Sequence, residues 1–277
     1  MTGHSAVWPA EGPALIGVGV GPGDPSLVTL RAVQVLESAD VVLAPSTSEL
    51  SVGRAEAVVH KVASEAQIER VVFVMEVDTE ARNAALVAVV ARVVAHVDQG
   101  QRVAFVTLGD PNVYSTFSSV AEGVAALRPA VAVSTVPGIM AFQELAARSG
   151  TVVVDGDERL VLIPAHREVG AITAAALADA QTAVVVYKGG RRVAELAASA
   201  EAEGRLEGAV LGELLGLPGE RLCPLADVIT DGRPVTYLST VIVPPRRVVA
   251  AQTNVAGADL ADVAAADLAA ETASGAL

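Results

Sequence analysis

One cysteine, Cys223, is present among 277 residues, which excludes an internal disulfide. With four scattered histidines beside it, that lone thiol offers no metal-ligand cluster, so no metal is expected. Cys223 stands in Arg221-Leu222-Cys223-Pro224-Leu225 with no histidine nearby, and it is expected to be a buried structural thiol rather than a nucleophile. Aromatic residues make up 3% of the chain, which leaves little for base-stacking platforms. Positive charge is also scarce: 19 Lys and Arg against 32 Asp and Glu give a formal charge of −13 and a pI near 4.7. Nucleic acid and anionic membrane surfaces are drawn to basic faces, so neither is expected as a partner. An anionic small molecule remains open and would need local arginines. Long apolar runs are missing as well. Hydrophobic residues reach 52% and the mean hydropathy is +0.50, yet every run is broken well short of the ~18 residues a membrane span needs. Residues 1–12 hold neither a basic n-region nor a continuous apolar h-region, so a soluble, cytoplasmic protein is expected.

What is present is an alternation of short apolar runs with helix-forming segments. Strands are expected at 14–19, 40–44, 71–74, 102–108 and 131–134, the last ending in Thr135-Val136-Pro137-Gly138, with helices from Pro25, at 54–62, at 79–96, at 113–127 and from about Ile139. In the first of these helices Asp24 is the candidate N-cap and Pro25 the N1 residue, with Leu27, Val28, Leu30, Val33, Val35 and Leu36 facing the core. Such alternation predicts an α/β layer with a mainly parallel sheet. The later part changes character, with strands at 159–164, 182–187, 208–214 and 235–243 and helices near 168–179 and 191–203. The expected organisation is a flexible lead-in at 1–13, an α/β domain at 14–136, a second α/β domain at 137–247, and an Ala-rich tail at 248–277 with no catalytic role.

Three Gly/Pro loops fall at strand ends: Gly17-Val18-Gly19-Val20-Gly21-Pro22-Gly23-Asp24-Pro25, Leu108-Gly109-Asp110-Pro111, and Val136-Pro137-Gly138. In α/β proteins ligands settle at the carboxyl ends of strands. The first loop is a poor dinucleotide fingerprint, because three residues after Gly19 and Gly21 stand Pro22 and Asp24 instead of glycine. No Gly-Lys-Ser/Thr follows either, so a phosphate cradle is absent. A nicotinamide-dependent oxidoreductase is thereby disfavoured, and a non-catalytic α/β binding protein stays open.

The three loops in order, with Tyr114-Ser115-Thr116-Phe117 after the second, Ile139-Met140-Ala141-Phe142 after the third, Val185-Val186-Tyr187-Lys188, and Leu217-Pro218-Gly219-Glu220-Arg221, resemble the tetrapyrrole methylase family. The blocks span residues 14 to about 245. Within the family, the form Leu-Gly-Asp-Pro-x-x-Tyr-Ser-Thr-Phe together with Gly53-Arg54 is most similar to the branch that methylates carbon 20 of precorrin-2 in cobalamin biosynthesis.

The resemblance implies two α/β domains with a cofactor cleft between them, S-adenosyl-L-methionine as cofactor, a tetrapyrrole substrate and a homodimer. Position by position, it implies cofactor contacts from Pro25, Gly109, Asp110, Ser115, Thr116, Met140, Ala141 and Lys188, with Leu215 or Gly216 and Thr240 from the second domain. Met140 as plain core, Lys188 as a solvated charge and Thr240 as a strand-propensity choice remain alternatives. Asp110 suits the cationic amino group of the methionine moiety. Substrate contacts are implied for Gly21, Asp24, Tyr114 and Arg54, and Arg31 and Arg191 are further candidates for the substrate's carboxylates. Related uroporphyrinogen methyltransferases carry an Asp at the end of the second strand, proposed as a proton acceptor; here Pro45 stands there, so no such acid is carried over. No general base is identified. The implied chemistry is in-line methyl displacement by an electron-rich carbon of the substrate, for which the protein's task is orientation.

Overall fold

The run Ala14-Leu15-Ile16-Gly17-Val18-Gly19 forms β1 (Ala14–Gly19), buried along its whole length. In this computed structural model the described residues are 12–48, 50–73, 79–165 and 170–247. Nearly all of the expected lead-in and the whole Ala-rich tail lie outside them. The chain divides after Pro245, and every element below belongs to the unit Met1–Pro245.

β1 is the fourth strand of a five-stranded parallel sheet ordered β3-β2-β4-β1-β5, with β2 (Val41–Ser46), β3 (Ile68–Val72), β4 (Arg102–Thr107) and β5 (Ala132–Val136). Alternation assigns its faces. Ala14, Ile16 and Val18 pack with Ala104 and Val106 beneath α1 (Leu30–Ser38) and α2 (Arg54–Val62), through Val35, Leu36, Val58 and Val59. Leu15, Val103 and Phe105 point the other way, to α3 (Thr79–Asp98) and α4 (Phe117–Leu127), where they meet Val93, Phe117 and Val120. Each such fully buried side chain contributes about 1.5–3 kcal/mol.

The second sheet is mixed and ordered β6-β7-β10-β8-β9: β6 (Arg159–Pro164), β7 (Thr182–Tyr187), β10 (Ser239–Val243), β8 (Val210–Glu213) and β9 (Arg221–Pro224). Only β6 and β7 run parallel, while β10 is antiparallel to both neighbours. One face is covered by α5 (Ala141–Ser149), whose Leu145 meets Val185, Leu215 and Ile242. The other is covered by α6 (Ala171–Ala178), α7 (Val193–Ala202) and α8 (Leu225–Asp231), through Leu177, Leu196 and Leu225.

The architecture is therefore α/β with two sheets, and the mainly parallel expectation holds for the first sheet alone. Several elements differ from their expected bounds. Asp24 caps only a 3-10 turn, Pro25–Leu27, with Ser26 N–H donating to its Oδ1 at 2.8 Å. The helix proper begins after Thr29, whose Oγ1 accepts from Ala32 N–H at 3.2 Å, and Leu30 is left 83% exposed instead of core-facing. β2 runs on through Pro45 to Ser46, α4 starts at Phe117, and β9 and α8 were not expected. Cys223 is half-buried on β9.

Candidate active site

β1 lies between β4 and β5, so the three Gly/Pro loops leave the sheet edge side by side. They are knitted by main chain. Val20 N–H donates to Thr107 O at 3.0 Å and Gly109 N–H to Gly21 O at 2.8 Å. A Cβ on Gly19 would stand 2.5 Å from Gly109 O and 2.6 Å from Gly138 N, so Gly19 accepts no side chain. Asp110 completes the knot: its Oδ2 accepts from Gly138 N–H at 3.1 Å and its Oδ1 from Asn112 N–H at 2.8 Å. The carboxylate expected to meet a ligand's amino group is thus also the tie between the second and third loops. Each oxygen keeps a second lone pair for a ligand.

In the second sheet the start of β10 sits between the ends of β7 and β8, because it is antiparallel to both. Tyr187-Lys188, loop 214–217 and Leu238-Ser239-Thr240 therefore converge, and they face the first sheet's loops across a cleft with about 740 Å³ of empty space, part of it open to solvent. Of the residues expected at the site, the cleft wall contains Gly109, Asp110, Tyr114, Met140, Ala141, Lys188, Leu215 and Thr240.

The remaining expected residues are not in this lining. Pro25 opens the 3-10 turn that Asp24 caps. Gly21 is buried and holds Gly109. Ser115 Oγ donates to Thr107 Oγ1 at 3.2 Å and accepts from Phe117 N–H at 3.1 Å, and Thr116 is exposed at the start of α4. Arg54 is exposed in the first turn of α2, beside Gly53, whose N–H donates to buried Glu56 at 3.1 Å. Arg31 and Arg191 are exposed and also lie outside the lining.

The chain's three tyrosines all border the cleft. Tyr114 reaches across it, donating from Oη to Leu162 O at 2.6 Å, and its own carbonyl accepts from Lys188 Nζ at 3.1 Å. Tyr114 and Tyr187 meet edge to face at 6.1 Å, and Lys188 Nζ lies 5.9 Å from the Tyr237 ring centre. Burial pushes the Lys188 ammonium below its usual range and the three phenols above theirs. Tyr114, Lys188 and Leu214 are the described non-glycine residues with positive φ, at 50°, 60° and 49°, and all three line this cleft. Strain of this kind, about 1–3 kcal/mol per residue, concentrates at functional sites.

Ser239 is 3% exposed and its Oγ has no hydrogen-bond partner. Tyr187 Oη likewise makes no well-formed hydrogen bond, with the Phe142 backbone close enough to favour the phenolate slightly. Beside Gly109 a Cβ would meet nothing within 4 Å. Apolar walls from Val113, Leu215, Leu217 and Leu238, two unsatisfied hydroxyls and an open backbone position define a small-molecule site. Tyr237, Ser239 and Leu214 were not singled out from sequence. The scarcity of tyrosine is the one signal that marks Tyr237.

α5 borders the cleft with its first residue, Ala141, and buries Glu144 one turn later, at 7% exposure. Burial pushes the Glu144 carboxyl above its usual 4.5, against the pull of Arg148 at 3.5 Å, and its Oε2 has no partner. A raised folded-state value means that the folded protein binds the extra proton, so stability falls as pH rises above 4.5. Glu144→Gln should therefore raise the melting temperature at pH 7 by about 2–4 °C, and thermal melts should show the gain vanishing as pH falls to 4.5.

The two-sheet fold is shared with known proteins. A family model described as Tetrapyrrole (Corrin/Porphyrin) Methylases matches residues 14–228, and the chain belongs to that family. Cobalamin biosynthesis protein CobIJ of Mycobacterium tuberculosis is 36% identical over 246 residues, covering 84% of this chain and 46% of that protein, so the chain spans about half the length of that relative. Precorrin-2 C(20)-methyltransferase of a Sinorhizobium species is 32% identical over 246 residues, covering 83% of this chain and 94% of that one. Among solved structures, the uroporphyrin-III C-methyltransferase of Thermus thermophilus complexed with S-adenosylhomocysteine superposes with a TM-score of 0.58 at 23% identity, covering 83% of this chain and 97% of that chain.

Proposed function

We propose that this methyltransferase carries the methyl group of S-adenosyl-L-methionine to carbon 20 of precorrin-2 or its cobalt complex in cobalamin biosynthesis, giving precorrin-3A or its cobalt form. The observation that carries the reading is the convergence of Gly109, Asp110, Met140, Lys188, Leu215 and Thr240, drawn from distant blocks, on one cleft. Tyr114-Ser115-Thr116-Phe117 and the Sinorhizobium relative support carbon 20. The second reading is methylation at another precorrin carbon, since the CobIJ relative, of which this chain spans 46%, is named for cobalamin biosynthesis and for no particular carbon. We take 14–136 and 137–247 as the two domains, in a cytoplasmic homodimer. Among the described residues no helix is long and apolar enough to cross a membrane.

The cofactor supplies an electrophilic methyl on a cationic sulfur. Gly109, with open space on its ligand side, lets it approach the main chain, and Asp110 offers lone pairs to its amino group. Ser239 and Tyr187 line the same wall, with hydroxyls buried behind it that find no partner in the protein. Leu215, Leu217 and Leu238 keep water from the reacting face, and the tyrosine rings favour a cation near them. Exposed Arg54 beside the sheet edge is the candidate for a substrate carboxylate. The nucleophile belongs to the substrate, so the chain's work is orientation.

Incubation with precorrin-2 and isotopically labelled S-adenosyl-L-methionine, followed by NMR, tests this. A labelled methyl at carbon 20 is expected. A methyl at another carbon moves the enzyme to the second reading, and absence of transfer from both precorrin-2 and its cobalt form overturns the substrate.

A further inference from the structure

Arg148 and Glu220 lie outside the cleft lining, yet they brace one of its walls. That wall is loop 214–217, which presents Leu214, Leu215 and Leu217 to the cleft. Its backbone is strained at Leu214, with φ 49°, while Gly216 at φ 70° adopts a form open to glycine. Two successive turns shape it, Leu217 N–H to Leu214 O at 2.8 Å and Glu220 N–H to Leu217 O at 3.2 Å. The Gly216 N–H, inside the first turn, donates to Glu220 Oε2 at 2.7 Å. The same carboxylate receives both terminal nitrogens of Arg148, each at 2.5 Å. Arg148 sits in the last turn of α5, the helix whose first residue, Ala141, borders the cleft. On its other side the wall abuts the first loop. A Cβ on Gly216 would stand 2.3 Å from Asp24 N, and one on Gly23 would stand 2.4 Å from Leu215 O. The wall is therefore wedged between Gly23-Asp24 and the Arg148–Glu220 brace.

We propose that Arg148 and Glu220 are positioning residues for the cofactor, fixing the Gly216 N–H and through it the Leu214-Leu215 wall; the inference rests on the cofactor reading above. Neither residue lines the cleft. An exposed ion pair contributes about 0–1 kcal/mol, with bidentate geometry at the upper end, so the effect of the brace is read in the shape of the wall rather than in the melting temperature. The fork of Arg148 matches the carboxylate in two places, which a lysine cannot do.

Calorimetric titration of the full chain with S-adenosylhomocysteine tests the brace, with thermal melting as the check on folding. Glu220→Ala and Arg148→Ala should each raise Kd about tenfold; Glu220→Ala should lower the melting temperature by less than about 4 °C, and Arg148→Ala by more, because it also removes the cation beside buried Glu144. In Kd, combining them should cost no more than either alone, because both remove one brace. Glu220→Gln keeps an oxygen for the Gly216 N–H and should lose about threefold. In turnover, KM for the cofactor should rise while kcat at saturation and KM for the tetrapyrrole stay within about twofold. Folded Glu220→Ala with wild-type affinity overturns the proposal. If Glu220→Ala does not fold, wild-type affinity in both Arg148→Ala and Glu220→Gln overturns it instead. Failure of the wild-type protein to bind S-adenosylhomocysteine strikes the cofactor reading itself, a separate result.

Discussion

Gly138→Ala should lower kcat/KM about 100-fold, because it opens the knot from which three walls of the cleft hang. The Cβ introduced there would stand 2.0 Å from Gly109 O, 2.8 Å from Gly19 Cα and 2.9 Å from Gly19 C. All three are main-chain atoms, so no rotamer change relieves the overlap. The chain must move one loop, and each loop is tied to another. Displacing Gly109 breaks its N–H bond to Gly21 O, and displacing Gly138 breaks its bond to Asp110 Oδ2. Asp110 would then lose its fixed orientation at the cleft wall. Gly109→Ala makes a useful contrast. Its Cβ would meet no atom within 4 Å, so its problem is torsional, a φ of 69° that costs an alanine about 1–2 kcal/mol. It should leave the three loops in register and instead crowd the ligand. Steady-state kinetics beside thermal melts separate the two variants; near-wild-type turnover in Gly138→Ala would show that the knot does not position the site.

The elements legible in the sequence were those built from uninterrupted apolar runs between breakers. β1, β6 and β7, at 14–19, 159–164 and 182–187, and α2, at 54–62, have their expected bounds. β9 escaped because it is an edge strand of four residues, Arg221-Leu222-Cys223-Pro224, alternating half-buried and exposed, with a charge at one end and a proline at the other. β10 was overextended for the opposite reason. Val235-Thr236-Tyr237-Leu238 has strand composition, but Thr236 N–H donates to the Glu213 side chain at 2.6 Å, not to the main chain of a neighbouring strand. α4 was begun too early because Tyr114, at φ 50°, cannot be helical, and nothing local in Val113-Tyr114-Ser115 announces that.

The site was legible in part for a related reason. Glycine and proline at strand ends mark where loops turn, and they located three of the cleft's walls. They do not say which glycines face a ligand and which face one another. Gly19 and Gly138 are spent on mutual contact, and Gly109 alone of the three opens on empty space. That distinction depends on contacts between residues separated by about a hundred positions and on the β4-β1-β5 strand order, neither of which a local pattern carries. The brace at Arg148 and Glu220 was invisible for the same reason, since the two lie 72 positions apart.

Arg205→Met should be the most destabilising exchange in the second half, lowering stability by about 3 kcal/mol or more, while leaving the activity of the folded fraction close to wild type. The guanidinium is 3% exposed and surrounded by main-chain carbonyls. Its Nη1 donates to Ala176, Leu177 and Asp179 O at 3.2, 2.9 and 3.1 Å, which closes the C-terminal end of α6. Its Nη2 donates to Thr182, Val243 and Pro244 O at 2.5, 3.3 and 2.7 Å, joining the start of β7 to the end of β10. Methionine fills similar volume but donates nothing, so these buried carbonyls lose their partner together. For a unit of this size the loss corresponds to roughly 6–12 °C in melting temperature. The carbonyl cage lies at the end of β10 remote from Ser239 and Thr240, so cofactor KM should be unchanged below the transition. Thermal melts with kinetics at low temperature decide it: a raised cofactor KM in the folded variant would mean that the cage, and not only the loops, sets the shape of the cleft.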